Sequence, residues 1–330
     1  MFINDKETKK CQYAKKCSGC QLQNLTYQEQ LQMKQVKTIR LLGKYCHVEE
    51  IIGMENPYYY RNKVQSAFAY KNGKTVSGIY QSTLGKIVPV DTCLLEDKGA
   101  QKIVETIRKL CPNFKIKPYD LNTGSGFLRH VLIRTGFTSK EIMVVLVTVG
   151  GDFKSKTSFV NELIRRHPEI TTIVWNINPT TTPLMLGNQS ETLYGNGYIQ
   201  DTLCGLSFRI SPRSFYQINP IQTEKLYSIA KEYASLTGNE KVIDAYCGTG
   251  TIGLTMADVA GEIIGVEVNS DAIKDAKENA KLNGITNAKF YNADAGDFMN
   301  DLASKSEKAD VVITDPPRAG CRLLGSIRIA

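Results

Sequence analysis

The chain has 330 residues, 42% hydrophobic and 22% charged, with a formal net charge of +8, long enough for two folded domains. No apolar run reaches the roughly 18 residues a spanning helix needs, and the opening Met1-Phe-Ile-Asn-Asp-Lys6 lacks a signal peptide's apolar core, so no membrane association and a cytoplasmic location are expected. Residues 1–45 carry 9 basic and 3 acidic side chains, residues 46–210 carry 19 and 14, and residues 211–330 carry 13 and 16, which describes either an anion-binding front end, nucleic acid being the obvious anion, or a solvated charged surface.

In chain order, the first pattern is Cys11-x5-Cys17-x2-Cys20, a knuckle of three thiols that needs a fourth. Cys93, in Pro89-Val-Asp-Thr-Cys-Leu-Leu95, is the candidate. Nine cysteines without a secretory signal do not read as a disulfide framework. Four thiolates suit a [4Fe–4S] cluster or a structural zinc ion equally, and unligated cysteines are the plain alternative, because spacing does not choose the metal. Cys46, Cys111 and Cys204 read as buried small hydrophobes and Cys247 as structural.

Thr26-Tyr-Gln-Glu29 is a capping-box pattern that opens a helix to about Leu42, stopped by Gly43. Strand-like runs follow at Val64–Tyr70, Thr75–Tyr80, Val131–Thr135, Ile142–Val149 and Thr172–Ile177, with turns at Asn72-Gly73 and Gly136–Lys140 and one helix at about Lys98–Leu110. This predicts an α+β central domain with an antiparallel sheet over residues 46–210, behind a knuckle and helix at 1–45. Within it, Tyr58-Tyr-Tyr60-Arg61-Asn-Lys63 interleaves rings with cations, and Phe127-Leu-Arg129-His130-Val-Leu-Ile-Arg134 alternates along a strand. Such segments are ordinary amphipathic strands or grips on RNA through stacking and phosphate contacts.

After Gly205 the rhythm changes. A helix at about Gln222–Leu236 leads to a strand at Lys241–Ala245, a glycine loop and a helix. A strand at Glu262–Val268, a helix at Asp271–Asn283 with Ser270 as its cap, and strands at Ala288–Asn292 and Ala309–Thr314 complete the series. Residues 211–330 are therefore expected to form an α/β Rossmann-like domain with a parallel sheet.

Gly248-Thr-Gly250-Thr251-Ile-Gly253 has the spacing of a nucleotide-binding turn, and Glu267 stands where a strand-end carboxylate meets ribose hydroxyls. That much does not separate a nicotinamide from S-adenosylmethionine. Three strand-end features favour the methyl donor. Asp244 can face its cationic end, Asp294 can reach the adenine, and Asp315-Pro-Pro-Arg318 forms a rim stiffened by two fixed φ angles.

Asp-Pro-Pro-Arg, together with Asp244-Ala-Tyr-Cys-Gly-Thr-Gly-Thr-Ile-Gly-Leu254 and Ser214-Phe-Tyr-Gln-Ile-Asn219, resembles the RNA uracil carbon-5 methyltransferase family over roughly residues 5–321. The resemblance implies an S-adenosylmethionine-dependent methyltransferase domain whose cofactor is met by Gln217, Asp244, Tyr246, Gly248, Gly250, Thr251, Glu267, Asp294 and Asp315. The knuckle with a distant fourth cysteine resembles the ribosomal-RNA branch, which implies a [4Fe–4S] cluster on Cys11, Cys17, Cys20 and Cys93, with zinc as the alternative. It also implies 23S rRNA as the partner, with Tyr60, Arg61, Lys63, Arg129, His130 and Arg134 toward RNA. No obligate protein partner is implied, and a monomer is expected.

In that family a cysteine thiolate adds to carbon 6 of a flipped-out uracil, carbon 5 takes the methyl group, and a base removes the carbon 5 proton. The nucleophile's Ser-Cys-Asn-Pro run and the C-terminal glutamate base have no counterpart here. Cys321, four residues past Pro317, sits in the loop and is not taken as the nucleophile. About four of the family's seven strands are countable, so a truncated or frameshifted chain with Arg322–Ala330 as a foreign tail is expected. The alternatives are an inactive methyltransferase-like RNA-binding protein, an amino-group methyltransferase, which usually carries Asn-Pro-Pro-aromatic instead, and a nicotinamide-dependent oxidoreductase.

Overall fold

The computed structural model describes residues 9–81, 86–180, 184–318 and 320. Cys321 and the segment Arg322–Ala330 lie outside the described residues. By contacts the chain divides into two compact units, residues 1–135 with 144–193, and residues 136–143 with 194–330. No described helix is long and apolar enough to cross a membrane.

The first unit begins with the cysteine knuckle and α1 (Tyr27–Leu42). The capping box forms as its residue types dictate: Thr26 accepts from Glu29 N, and the Glu29 carboxylate accepts from Thr26 N at 2.7 Å. Strands β1 (Lys63–Lys71) and β2 (Lys74–Tyr80) make a hairpin about Asn72-Gly73, both in the left-handed region. After β3 (Ile87–Pro89) comes α2 (Lys98–Asn113), whose buried face is Ala100, Ile103, Val104, Ile107, Leu110 and Cys111. That three-and-four spacing makes one apolar stripe, and it lies on β1, β2 and β4 (Leu128–Thr135).

Strand β5 (Ile142–Thr148) is buried at every position, as its unbroken apolar run requires of a central strand. Then follow α3 (Lys156–Arg166), absent from the sequence reading, β6 (Ile170–Ile177) and β7 (Gln189–Tyr194). The seven strands form one sheet in the order β3-β2-β1-β4-β5-β6-β7, antiparallel at β3-β2, β2-β1 and β1-β4.

The second unit opens with the hairpin β8 (Ile199–Leu203) and β9 (Leu206–Ile210), then α4 (Pro220–Ala234). Next come β10 (Lys241–Ala245), the one-turn α5 (Thr251–Leu254), β11 (Glu262–Glu267) and α6 (Ser270–Leu282). Strand β12 (Ala288–Asn292), α7 (Ala295–Ser304) and β13 (Val311–Thr314) follow. The four strands are parallel, in the order β12-β11-β10-β13. Two apolar layers cover this sheet, one centred on Val242, Met256 and Ile263 and the other on Ile243, Ile264 and Val266, as strict alternation along β10 and β11 demands.

Helix α6 differs from its expected start. Asn269, not Ser270, is the cap, its side chain accepting from Asp271 N and Ala272 N. Both residue types can accept from free helical amides, so neighbouring caps are not told apart by type.

Candidate functional site

Because β10, β11 and β13 run parallel, Asp244, Glu267 and Asp315 stand at the same, C-terminal end of the sheet. In open parallel sheets that end is where ligands are held.

Asp244 is 1% exposed. Its Oδ2 accepts from Gly253 N at 2.8 Å, while its Oδ1 has no partner among the described residues. Burial, with Asp315 and Glu267 adding repulsion, pushes its carboxyl up to about 7. An orphaned oxygen in a buried carboxyl is unfavourable by itself and fits a ligand cation or donor at that point.

The glycines have separate tasks. Gly250 has φ +81°, and a Cβ there would lie 3.1 Å from Phe290 and 3.2 Å from Leu254. Gly248 has φ +55° with nothing within 4 Å of such a Cβ, so the conformation and not crowding requires glycine. Tyr246 adopts φ +68°, an uncommon state for a bulky residue that is concentrated at functional turns. Glu267 is 19 residues beyond Gly248, accepts from its amide at 3.2 Å, and accepts from Asn269 N at 2.8 Å.

Thr251 is buried, and its hydroxyl pairs with Tyr227 OH at 2.9 Å. Gln217 Nε2 donates to Asp315 Oδ2 at 3.2 Å. Asp294 is the N-cap of α7, its Oδ1 accepting from Gly296 N and Asp297 N. The structure thus places all nine residues of the expected cofactor set in the second unit, with Gln217, Asp244, Glu267, Thr251 and Asp315 joined by hydrogen bonds to that strand-end neighbourhood. Tyr227 and Phe215 were not found from sequence. Phe215 is 62% exposed and its carbonyl accepts from Thr249 Oγ1 at 3.5 Å. A lone aromatic beside a loop carries no signal of its own. Cys247 is buried, and burial pushes its thiol far above the usual range, which suits a packed side chain and not a thiolate.

In the first unit, Cys11, Cys17, Cys20 and Cys93 line one pocket together with Arg61 and Glu96. A tight turn carries the knuckle, with Cys17 N donating to Tyr13 O at 2.8 Å and Gly19 N donating to Cys17 Sγ at 3.4 Å. Gln101 of α2 fixes the distant cysteine: its Oε1 accepts from Cys93 N at 2.9 Å and its Nε2 donates to Cys93 O at 2.7 Å. Tyr13 OH accepts from Asp91 N at 3.1 Å, which ties the knuckle to the Cys93 loop. Burial pushes the Cys93 thiol up to about 11, and burial also raises Cys20, with Arg61 opposing. Among the described residues no group of three or more His, Cys, Asp or Glu converges as a metal site. The four thiols thus share one pocket, with an amide donating to the Cys17 sulfur and the Arg61 side chain at the wall.

The residues expected at RNA divide into two kinds. Arg129 is 7% exposed, and its guanidinium donates to Asn178 O at 2.7 Å and Thr180 O at 2.5 Å, which is a structural clamp. Arg134 is buried, and His130 is partly buried, its ring 5.9 Å from that of Tyr80. Lys63 pairs in register with Arg134, and burial with that neighbouring cation lowers its ammonium to about 8. Arg61 is at the thiol pocket. The more open cations of this region are Lys9, 5.2 Å above Tyr58 and 5.4 Å above Tyr59, and Lys98, 4.3 Å above Tyr59. Tyr60, next in the run, is partly buried.

A family model described as a methyltransferase domain matches residues 236–324. An uncharacterized RNA methyltransferase of Staphylococcus epidermidis is 42% identical over 324 residues, covering 96% of this chain and 71% of that protein. One of Clostridium tetani is 41% identical over 315 residues, covering 94% and 68%. Among solved structures, the Pyrococcus abyssi tRNA (uracil-54, C5)-methyltransferase in complex with S-adenosyl-L-homocysteine is similar at a TM-score of 0.74 and 27% identity, covering 92% of this chain and 71% of that one.

Proposed function

Since the chain belongs to the RNA methyltransferase family of these relatives, with an S-adenosylmethionine-dependent methyltransferase fold, we propose that it serves methylation at carbon 5 of a uridine in 23S rRNA. The observation that carries the cofactor half is Asp244, a buried carboxyl with one oxygen satisfied by the glycine loop and the other without a partner at the end of β10. S-adenosylmethionine, when bound, supplies an electrophilic methyl group on a sulfonium. Asp244 offers an anion to its cationic end, Glu267 a ribose acceptor and Gln217 a side-chain amide, while Tyr246, Gly248, Gly250 and Thr251 shape the floor. Asp294 stands toward the adenine, and Asp315 orients Gln217 from the rim. The choice of carbon 5 of uracil is supported by the Asp315-Pro-Pro-Arg318 segment and by likeness to a tRNA uracil-54 carbon-5 enzyme. The thiolate that adds to carbon 6 and the base that takes the carbon 5 proton are assigned to no residue of this sequence.

Cys11, Cys17, Cys20 and Cys93 would hold a [4Fe–4S] cluster, which supplies a rigid inorganic crosslink for the loops of the first unit. The choice of 23S rRNA rests on the resemblance of this knuckle to the ribosomal-RNA branch. The exposed cations Lys9 and Lys98, set over the partly buried rings of Tyr58 and Tyr59, add to the residues expected at RNA.

A second reading, cofactor and RNA binding without transfer, is favoured by the burial of Cys247, the cysteine within the glycine loop. Incubation of the chain with labelled S-adenosylmethionine and unmodified 23S rRNA or tRNA, followed by nucleoside analysis, tests both. Label in 5-methyluridine from 23S rRNA supports the first reading. Label in tRNA alone, or in a methylated amino group, overturns the substrate or the reaction. Cofactor binding with no transfer selects the second reading.

A further inference from the structure

Asp275, Asn279 and Asn283 are spaced four residues apart and so share one face of α6 and its C-terminal cap. Asp275 is 8% exposed, Asn279 fully buried and Asn283 partly buried. Asp275 Oδ1 and Oδ2 accept from Ser211 Oγ at 3.0 and 2.9 Å, and Oδ2 also accepts from Ser214 Oγ. Asn279 Oδ1 accepts from Arg209 N at 2.8 Å, and its Nδ2 donates to Thr249 O at 3.1 Å. Asn283 Oδ1 accepts from Ser207 N at 2.8 Å, and its Nδ2 donates to Ser207 O at 2.7 Å.

These bonds reach two walls. One is β9 with the Ser211–Gln217 segment that follows it. The other is the glycine loop at Thr249. Asp275 makes no ion pair among the described residues, and a buried carboxylate satisfied by hydroxyls alone is an expensive way to fill a core. An apolar residue would pack against α6 more cheaply. It would not hold Ser211 and Ser214 at fixed positions, six and three residues ahead of Gln217.

We propose that the Asp275–Asn279–Asn283 ladder is the positioning element of the methyl-donor site, and that Asp275, without touching the cofactor, sets cofactor affinity by fixing the Ser211–Gln217 segment against α6. This rests on the reading of the β10–β11 end as that site. With the segment released, Gln217 loses its place at Asp315 and the binding surface must be ordered at the moment of binding, which is paid in affinity.

The test is calorimetric titration of S-adenosylhomocysteine into the wild-type chain, Asp275→Asn, Asp275→Ala, and the Ser211→Ala/Ser214→Ala pair, with hydrogen exchange read at residues 211–217. Asp275→Ala is expected to weaken binding about tenfold or more and to speed exchange in that segment, since two charge-assisted bonds are lost. Asp275→Asn retains an acceptor and falls between. The serine pair matches Asp275→Ala, and the chain carrying Asp275→Ala, Ser211→Ala and Ser214→Ala together binds no more weakly than either. Wild-type affinity in Asp275→Ala, with only its melting temperature lowered, overturns the proposal and leaves a stability role. Should that variant fail to fold, Asp275→Asn and the serine pair decide. If the wild-type chain itself binds no S-adenosylhomocysteine, the cofactor reading fails instead, and unchanged exchange at 211–217 in the variants still sinks the ladder.

Discussion

Gln217 and Asp315, 98 positions apart, are joined by a hydrogen bond from Nε2 to Oδ2 of 3.2 Å. It links the segment ahead of α4 to the loop after β13, the two pieces whose motifs are least informative in isolation. Replacing Gln217 with alanine is expected to weaken S-adenosylhomocysteine binding by about three- to tenfold, the range of one hydrogen bond. The melting temperature should hardly move, because the pair is exposed. A large drop in melting temperature with unchanged affinity would make Gln217 a structural residue.

Asp244 gives a pH dependence with a definite sign. Its folded value, about 7, lies above the ordinary 3.8. Between those values the folded state holds the proton and the unfolded state does not, so stability falls as pH rises through that window. Asp244→Asn is expected to raise the melting temperature at pH 8 by roughly 2–4 °C per kcal/mol recovered and to have little effect near pH 4. Affinity of the wild type for cationic S-adenosylmethionine should climb through about pH 7, and the asparagine variant's should stay flat and weaker. Thermal melts and titrations at both ends of the range check this.

Gly248 and Gly250 separate conformation from crowding. Gly248→Ala meets open space at φ +55°, and an unfolding cost of about 1 kcal/mol is expected. Gly250→Ala meets Phe290, Leu254 and Ala276 at 3.1 to 3.3 Å with φ +81°, and its cost should approach about 3 kcal/mol. Denaturant unfolding of the two variants that gave equal costs would show that the loop relaxes freely.

The parallel strands of the second unit were legible because a sheet covered on both faces leaves short apolar stretches such as Val242-Ile243 and Ile263-Ile264, each followed by a polar turn. The central sheet was legible in part: β5 reads plainly, but α3 was missed, since Lys156–Arg166 mixes polar and apolar residues between loops. The thiol pocket began from spacing, yet its organiser, Gln101, is an ordinary helix glutamine until Cys93 is placed beside it. Arg129 shows the converse. Its alternation along β4 suggested a surface cation, and the fold turns it onto two backbone carbonyls. Which polar residues face inward is set by tertiary packing, and no short pattern records it.

Arg129 and Lys98 are therefore expected to behave differently. Arg129→Ala leaves Asn178 O and Thr180 O without their donor and should destabilise the chain on the order of 3 kcal/mol. Lys98→Ala or Tyr59→Ala should weaken RNA binding several-fold and reduce its salt dependence without changing the melting temperature. Filter binding across a salt series, alongside thermal melts, distinguishes them. RNA affinity unchanged in both Lys98→Ala and Tyr59→Ala would remove this surface from the RNA interface.

Gln101→Ala should lower the iron and acid-labile sulfide held per chain, purified without oxygen, and Cys20→Ala or Cys93→Ala should abolish both. Wild-type chain carrying zinc and no sulfide would replace the cluster with the ion.

The central claim is that the ends of β10, β11 and β13 form a methyl-donor site. Calorimetric titration of the wild-type chain with S-adenosylhomocysteine, and separately with NADH, tests it most directly. Binding of one equivalent of S-adenosylhomocysteine, lost in Gly250→Ala and absent for NADH, is the expected result. Saturable NADH binding with none for S-adenosylhomocysteine would contradict the account and return the glycine loop to a nicotinamide.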